Sequence, residues 1–190
     1  LPRLGEHALL ARRQALLAVT HGEVPDDLSD LEDPSYYQNI PGRPTVLPGS
    51  FRAIYMGAPL NLASGEYEIM CAEPNCIHAT RLLRMDAKWN EIAGGSTPHG
   101  KPRKPPICHN VPWAALDVQM MENERVKGQS YRDDFRRAVC WYSGNLRAGH
   151  NACNAAGVKT TAQTATDQER RDAQAVIESV TIRWTGTPWA

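Results

Sequence analysis

The stretch that decides the fold runs from Ser50 to Cys71, SFRAIYMGAPLNLASGEYEIMC. Phe51, Ala53 and Tyr55 alternate with Arg52, Ile54 and Met56, and Tyr67, Ile69 and Cys71 alternate with Glu66, Glu68 and Met70. A period of two puts one set of side chains on each face of a strand. With Gly57 to Gly65 between them, the two runs predict a β-hairpin with one wet face. Downstream, the Leu/Arg-rich segment 79–86 predicts a third strand, and Leu116, Val118 and Met120, interleaved with Asp117 and Gln119, predict a fourth.

The last third reads as helix. Tyr131, Phe135, Ala138, Val139 and Tyr142 share one stripe, Ser130 with Asp133 resembles a capping box, and Gly144 ends the run. Thr166 with Glu169 forms a second capping box ahead of Ala173, Val176, Ile177 and Val180, and Thr181 to Trp184 predicts a short closing strand. Residues 157–166, rich in Thr and Ala, predict a loop. No strand–helix–strand alternation is present, which excludes a doubly wound parallel sheet. The expected class is α+β: an antiparallel sheet of three to five strands with C-terminal helices on one face.

Upstream, Leu9, Leu10, Leu16 and Leu17 recur at seven-residue spacing and predict a helix over 5–20. Glu23, Asp26, Asp27, Asp30, Glu32 and Asp33 follow, six carboxylates with no base among them, and then Pro34, Pro41, Pro44 and Pro48 with Tyr36 and Tyr37 between. Prolines at that density remove backbone donors and exclude helix, so this part reads as an extended arm. The expected organisation is an N-terminal helix and arm over 1–49 and one α+β domain over 50–190. The chain begins at Leu1 instead of Met, so removal of a leading segment is expected.

Charge is balanced overall, at 21 Lys+Arg against 21 Asp+Glu, which argues against a dedicated nucleic-acid binder. It is unevenly spread: residues 1–95 carry 8 basic and 12 acidic groups. The acidic arm and the basic loop at Lys101, Arg103 and Lys104 are complementary, and each is a candidate partner surface. No apolar run approaches the roughly 20 residues of a membrane-spanning helix.

Five cysteines, Cys71, Cys76, Cys108, Cys140 and Cys153, allow two internal bridges at most. Cys140 lies off the apolar stripe of its helix, and Cys153 follows a Gly-containing turn, so Cys140–Cys153 is the expected disulfide. Cys71 and Cys76 flank Glu73-Pro74-Asn75, turn chemistry that places them bridged or near the surface at a strand end. Cys71-x4-Cys76-x-His78, Cys108-His109 and His150-x2-Cys153 also offer zinc-ligand types, but no CxxC pair is present and the spacing is loose. The disulfide reading is preferred, and no metal or cofactor is expected. A cysteine nucleophile would need His78, His99, His109 or His150 beside it in space, and no GxSxG, HExxH, Walker or GxGxxG pattern occurs.

These readings point to a non-catalytic protein-binding protein of an oxidising, extracytoplasmic (periplasmic) compartment, such as an inhibitor or immunity protein. Tyr36, Tyr37, Asp26, Asp27, Asp30, Lys101, Arg103 and Lys104 are its candidate contact residues. An accessory subunit of a mitochondrial complex is the first alternative, and a small Cys/His hydrolase the second.

Overall fold

A computed structural model describes residues 42–47, 49–156 and 161–190. The expected N-terminal helix, the acidic run with Asp26, Asp27 and Asp30, and Tyr36 and Tyr37 lie outside the described residues.

The elements are α1 (Ser50–Tyr55), β1 (Leu60–Asn61), β2 (Glu66–Met70), β3 (Leu82–Met85), β4 (Ile107–His109), α2 (Trp113–Lys127), α3 (Asp133–Cys140), β5 (Leu146–Ala148), α4 (Asn151–Ala156) and α5 (Asp167–Arg183). The protein is α+β, and the described residues form two small antiparallel sheets in place of one. One has the order β1-β2-β3 and the other pairs β4 with β5. Among the described residues no helix is long and apolar enough to cross a membrane.

Three expected strands are corrected. Residues 51–55, expected in a strand with Met56, are helical: Phe51 and Tyr55 stand four apart, both fully buried, with their rings 4.6 Å apart on one helix face. Residues 116–120 belong to α2, where Leu116 and Met120 make the same i, i+4 pair at 0% exposure. Residues 181–183 continue α5, and the chain then turns back so that Trp189 bridges Tyr131. Short windows of alternating apolar residues satisfy either period, and packing decides between them.

Other expectations hold. β2 and β3 pair from Tyr67↔Met85 to Met70↔Leu82. α5 opens on a full capping box: Thr166 accepts from the Glu169 amide and the Glu169 carboxylate accepts from the Thr166 amide. The helix expected near Tyr131 is α3, but it begins at Asp133 behind Arg132, with no side-chain cap. The Tyr131 amide instead donates to Glu124 Oε1 at 2.6 Å.

Two buried clusters flank α3. In one, Phe135 and Val139 join Leu116, Met120, Ala173, Ile177 and Val180 from α2 and α5. In the other, Cys140 and Trp141 join Phe51, Tyr55, Leu83, Met85, Ile107 and Leu146. α3 is therefore buried on two sides, which is why Cys140 sits away from the main stripe. The α2–α3 contact carries a charged lock: Arg136 reaches Asp117 at 3.0 Å and Glu124 at 2.9 Å.

Tyr55 ties the clusters' first layer to the second sheet. Its hydroxyl donates to the Pro106 carbonyl at 2.6 Å and accepts from the Gly149 amide at 3.2 Å. Those two bonds fix one end of the β4–β5 pair, where Ile107 faces Ala148, relative to α1.

Candidate metal centre

β2 ends at Met70, and Cys71 follows it, 2% exposed. The chain then loops through Glu73-Pro74-Asn75 to Cys76 and returns to β3. Arg81 folds this loop on itself. Its guanidinium donates to the carbonyls of Cys71 at 3.1 Å and Glu73 at 2.6 Å. Its amide bonds the His78 carbonyl at 3.0 Å, and its own carbonyl accepts from Cys71 N at 2.7 Å. Holding all four contacts requires φ of 55° at Arg81, a left-handed conformation that a non-glycine residue adopts at a cost. The loop is built, not incidental.

β5 delivers the other half. It ends at Ala148, and Gly149, His150 and the first turn of α4 follow. Asn151 starts α4 against the buried Glu91, whose carboxylate accepts from the Asn151 amide at 3.0 Å. One turn on, Cys153 points back at the loop.

The four groups converge. The ligand atoms of Cys71, Cys76, His150 and Cys153 all lie within 4.8 Å of one another. Cys76 Sγ is 3.6 Å from Cys153 Sγ, and His150 Nδ1 is 3.7 Å from each of those sulfurs. Tetrahedral zinc with bonds of about 2.3 Å to sulfur and about 2.0 Å to nitrogen would set these edges at about 3.8 Å and about 3.6 Å. His150 Nε2, the nitrogen turned away from the thiols, lies 3.1 Å from the Leu82 carbonyl. That bond fixes the tautomer that leaves the Nδ1 lone pair for a metal. The donor set and its outer support therefore fit a zinc ion. His78 does not join the set; its ring lies on that of His150 with centroids 4.0 Å apart.

Burial pushes the Cys153 thiol up to about 11, with the neighbouring Cys76 sulfur adding to the rise. Burial also acts upward on Cys76, but the His78 backbone and the hydrogen bonds of Cys153 and Cys71 hold it below its ordinary value. Cys76 is the half-exposed member of the set.

All five cysteines are free thiols. The expected Cys140–Cys153 bridge is not formed, because the two serve different neighbourhoods: Cys153 meets Cys76 and His150, while Cys140 Sγ is 4.0 Å from His109 Nε2. The expectation that Cys71 and Cys76 are bridged or both near the surface is corrected too: both are thiols after the end of β2, and Cys71 is buried while Cys76 is half-exposed. Of the three half-sites visible in the sequence, the structure joins the first and third and leaves Cys108-His109 outside.

His109 closes β4. Its Nε2 lies 2.8 Å from the Cys140 carbonyl, and Asn145, 1% exposed, clamps the turn behind it. Asn145 Oδ1 accepts from the Val111 amide at 2.7 Å and its Nδ2 donates to the Val111 carbonyl at 3.1 Å. Burial lowers the His109 pKa to about 4, against the Cys140 carbonyl and with help from Arg43 and Arg147. Cys140 is pushed up to about 12 by burial, so it is a neutral thiol and a poor nucleophile.

The basic loop is engaged with its own chain. Arg103 Nε donates to the Ser96 carbonyl at 2.8 Å, and Lys104 Nζ donates to the Lys88 carbonyl. Lys101 is exposed and its amide bonds Thr97. His99 is exposed in the same loop. Comparison with family models, with curated proteins and with solved structures finds no match.

Proposed function

We propose that this chain is a zinc-stapled, non-catalytic binding protein, in which Cys71, Cys76, His150 and Cys153 hold one structural Zn²⁺. The observation that carries the reading is the convergence of four ligand atoms within 4.8 Å from segments 77 residues apart in the chain. Three thiolates and one imidazole leave no position for substrate, which is the pattern of a structural centre. Thiolate ligands need reduced cysteines, so the reading goes with a reducing compartment in place of the extracytoplasmic one expected from disulfides. Metal titration tests it. One Co²⁺ per chain is expected, with thiolate charge-transfer bands and tetrahedral d–d bands that Zn²⁺ bleaches. Loss of those bands in Cys153→Ser is expected too, and a colourless titration would refute the proposal.

The hydrolase alternative gains no support from His109: burial lowers its pKa to about 4, which makes the imidazole a weak base, and the Cys140 thiol beside it stays protonated. A histidine held neutral in this way loses stability for the fold as pH falls. The unfolded state takes up its proton near pH 6.5 and the native state only near 4, so stability contributed above 6.5 drains away between these values. The full difference is up to about 3 kcal/mol. The His109 ring resonances are expected to stay constant from pH 8 to 5.5. Titration near 6.5 would show that burial does not hold the ring neutral.

A further inference from the structure

The metal loop and the second sheet are joined by a backbone bond and by one acidic side chain, that of Glu73. Glu73 lies between the ligands Cys71 and Cys76. Its Oε2 pairs with Arg147 Nη2 at 3.0 Å, and both side chains are largely buried, at 15% and 19% exposure. Arg147 sits on β5, in register with Cys108 on β4. Cys108 lies near this pair: burial first, and then the Glu73 charge, push its thiol well above its ordinary value, so it stays protonated.

The path between them runs over Gly149, the residue before the ligand His150. A Cβ at Gly149 would stand 2.8 Å from Cys108 Sγ and 3.3 Å from Glu73 Cγ. The bare backbone there leaves room for both side chains. One backbone bond runs alongside, from the Ala72 amide to the Ala148 carbonyl at 2.9 Å. The residue after Cys108 is His109.

We propose that Glu73 is a positioning residue that couples occupancy of the Cys71–Cys76–His150–Cys153 centre to the geometry of the β4–β5 pair and of His109. The proposal rests on the zinc reading. A metal fixes the 71–76 loop, and the fixed loop presents Glu73 to Arg147. A charge pair largely out of water is held strongly only when its partners are already placed. Linkage makes the effect reciprocal: the Glu73–Arg147 contact that steadies the strands must also tighten the metal by the same factor.

The test uses the full chain, with Zn²⁺ affinity read by competition against a chromophoric chelator. Amide exchange at 107–109 and 146–148 is read with and without Zn²⁺. In the unsubstituted protein Zn²⁺ is expected to slow exchange in both strands. In Glu73→Gln, affinity is expected to fall about 10-fold or more, the scale of outer-shell losses, and Zn²⁺ no longer slows the strands to the same degree. Arg147→Lys, which keeps the charge but moves it, is expected to behave alike and keeps the test open if the first variant folds poorly. The double variant is expected to be no worse than either single, as for two members of one contact. Unchanged affinity with the strand response intact overturns the coupling. So does faster exchange that is equal with and without Zn²⁺, the mark of a merely structural contact. Failure of the unsubstituted chain to take up Zn²⁺ shows itself before any substitution and overturns the zinc reading along with this one.

Discussion

Stripping the metal with EDTA is expected to lower Tm by about 8–16 °C relative to protein held in Zn²⁺ at a thousand times its Kd. A ligand at that excess stabilises the folded state by about 4 kcal/mol, and in a domain of this size each kcal/mol moves Tm by about 2–4 °C. On the zinc reading the centre links the end of β2 to the start of α4, and between those points lie β3, the 86–106 loop, β4, α2, α3 and β5. Without the ion, the buried Cys71, Cys153 and His150 keep only weak sulfur contacts and the single bond of His150 Nε2 to the Leu82 carbonyl. Differential scanning fluorimetry in Zn²⁺ and in EDTA makes the measurement. Coincident melting curves at every Zn²⁺ concentration would mean that the cluster stands without a metal.

The second large effect belongs to the other side of the molecule. Phe135→Ala is expected to destabilise the fold by about 3–5 kcal/mol, the usual range for an aromatic removed from a packed core. Phe135 is fully buried, its ring stacks on Tyr131 with centroids 5.0 Å apart, and the edge of Trp184 meets it at 5.3 Å. These two neighbours come from different segments, before α3 and after α5, and cannot both collapse into the gap. Tyr131 is held from behind by Trp189 at 4.1 Å, which limits its own movement. The loss is expected to be equal in Zn²⁺ and in EDTA, because Phe135 packs in the cluster between α2, α3 and α5 and shares no partner with the metal ligands. Chemical denaturation in both conditions reads it, and a loss below about 1 kcal/mol would show that the α2–α3–α5 cluster is loosely packed.

What the sequence made legible follows from the range of the forces involved. α5 was readable because its capping box is a local contact: Thr166 and Glu169 bond each other within three residues. β2 and β3 were readable because one face of each alternates over several residues against a core. α1 was not, since six residues carrying Phe51 and Tyr55 fit a strand and a helix equally well until Pro106 and Gly149 supply partners for the Tyr55 hydroxyl. The same holds for Leu116 and Met120. The metal ligands were each visible as residue types, but their assembly was not. C-x4-C and H-x2-C are weak half-signals, and only the antiparallel β4–β5 pair and the Arg81 fold bring one to the other. Cys140 misled for a related reason: a helix buried on two sides has no spare face, and a thiol there packs as a small apolar group.

The separation of the two half-sites sets an order of events during synthesis. Cys76 and Cys153 are 77 positions apart, so a ribosome adding about 5–20 residues per second exposes the first pair about 4–15 seconds before the second. Through that interval Cys71 and Cys76 are a two-coordinate stub, able to hold an ion weakly and open to any competing thiophilic metal or oxidant. On the zinc reading, the four-ligand site that prefers one ion over its competitors is complete only once the chain has been made through α4, and a stalled or truncated product ending before His150 is left with an unprotected dithiol.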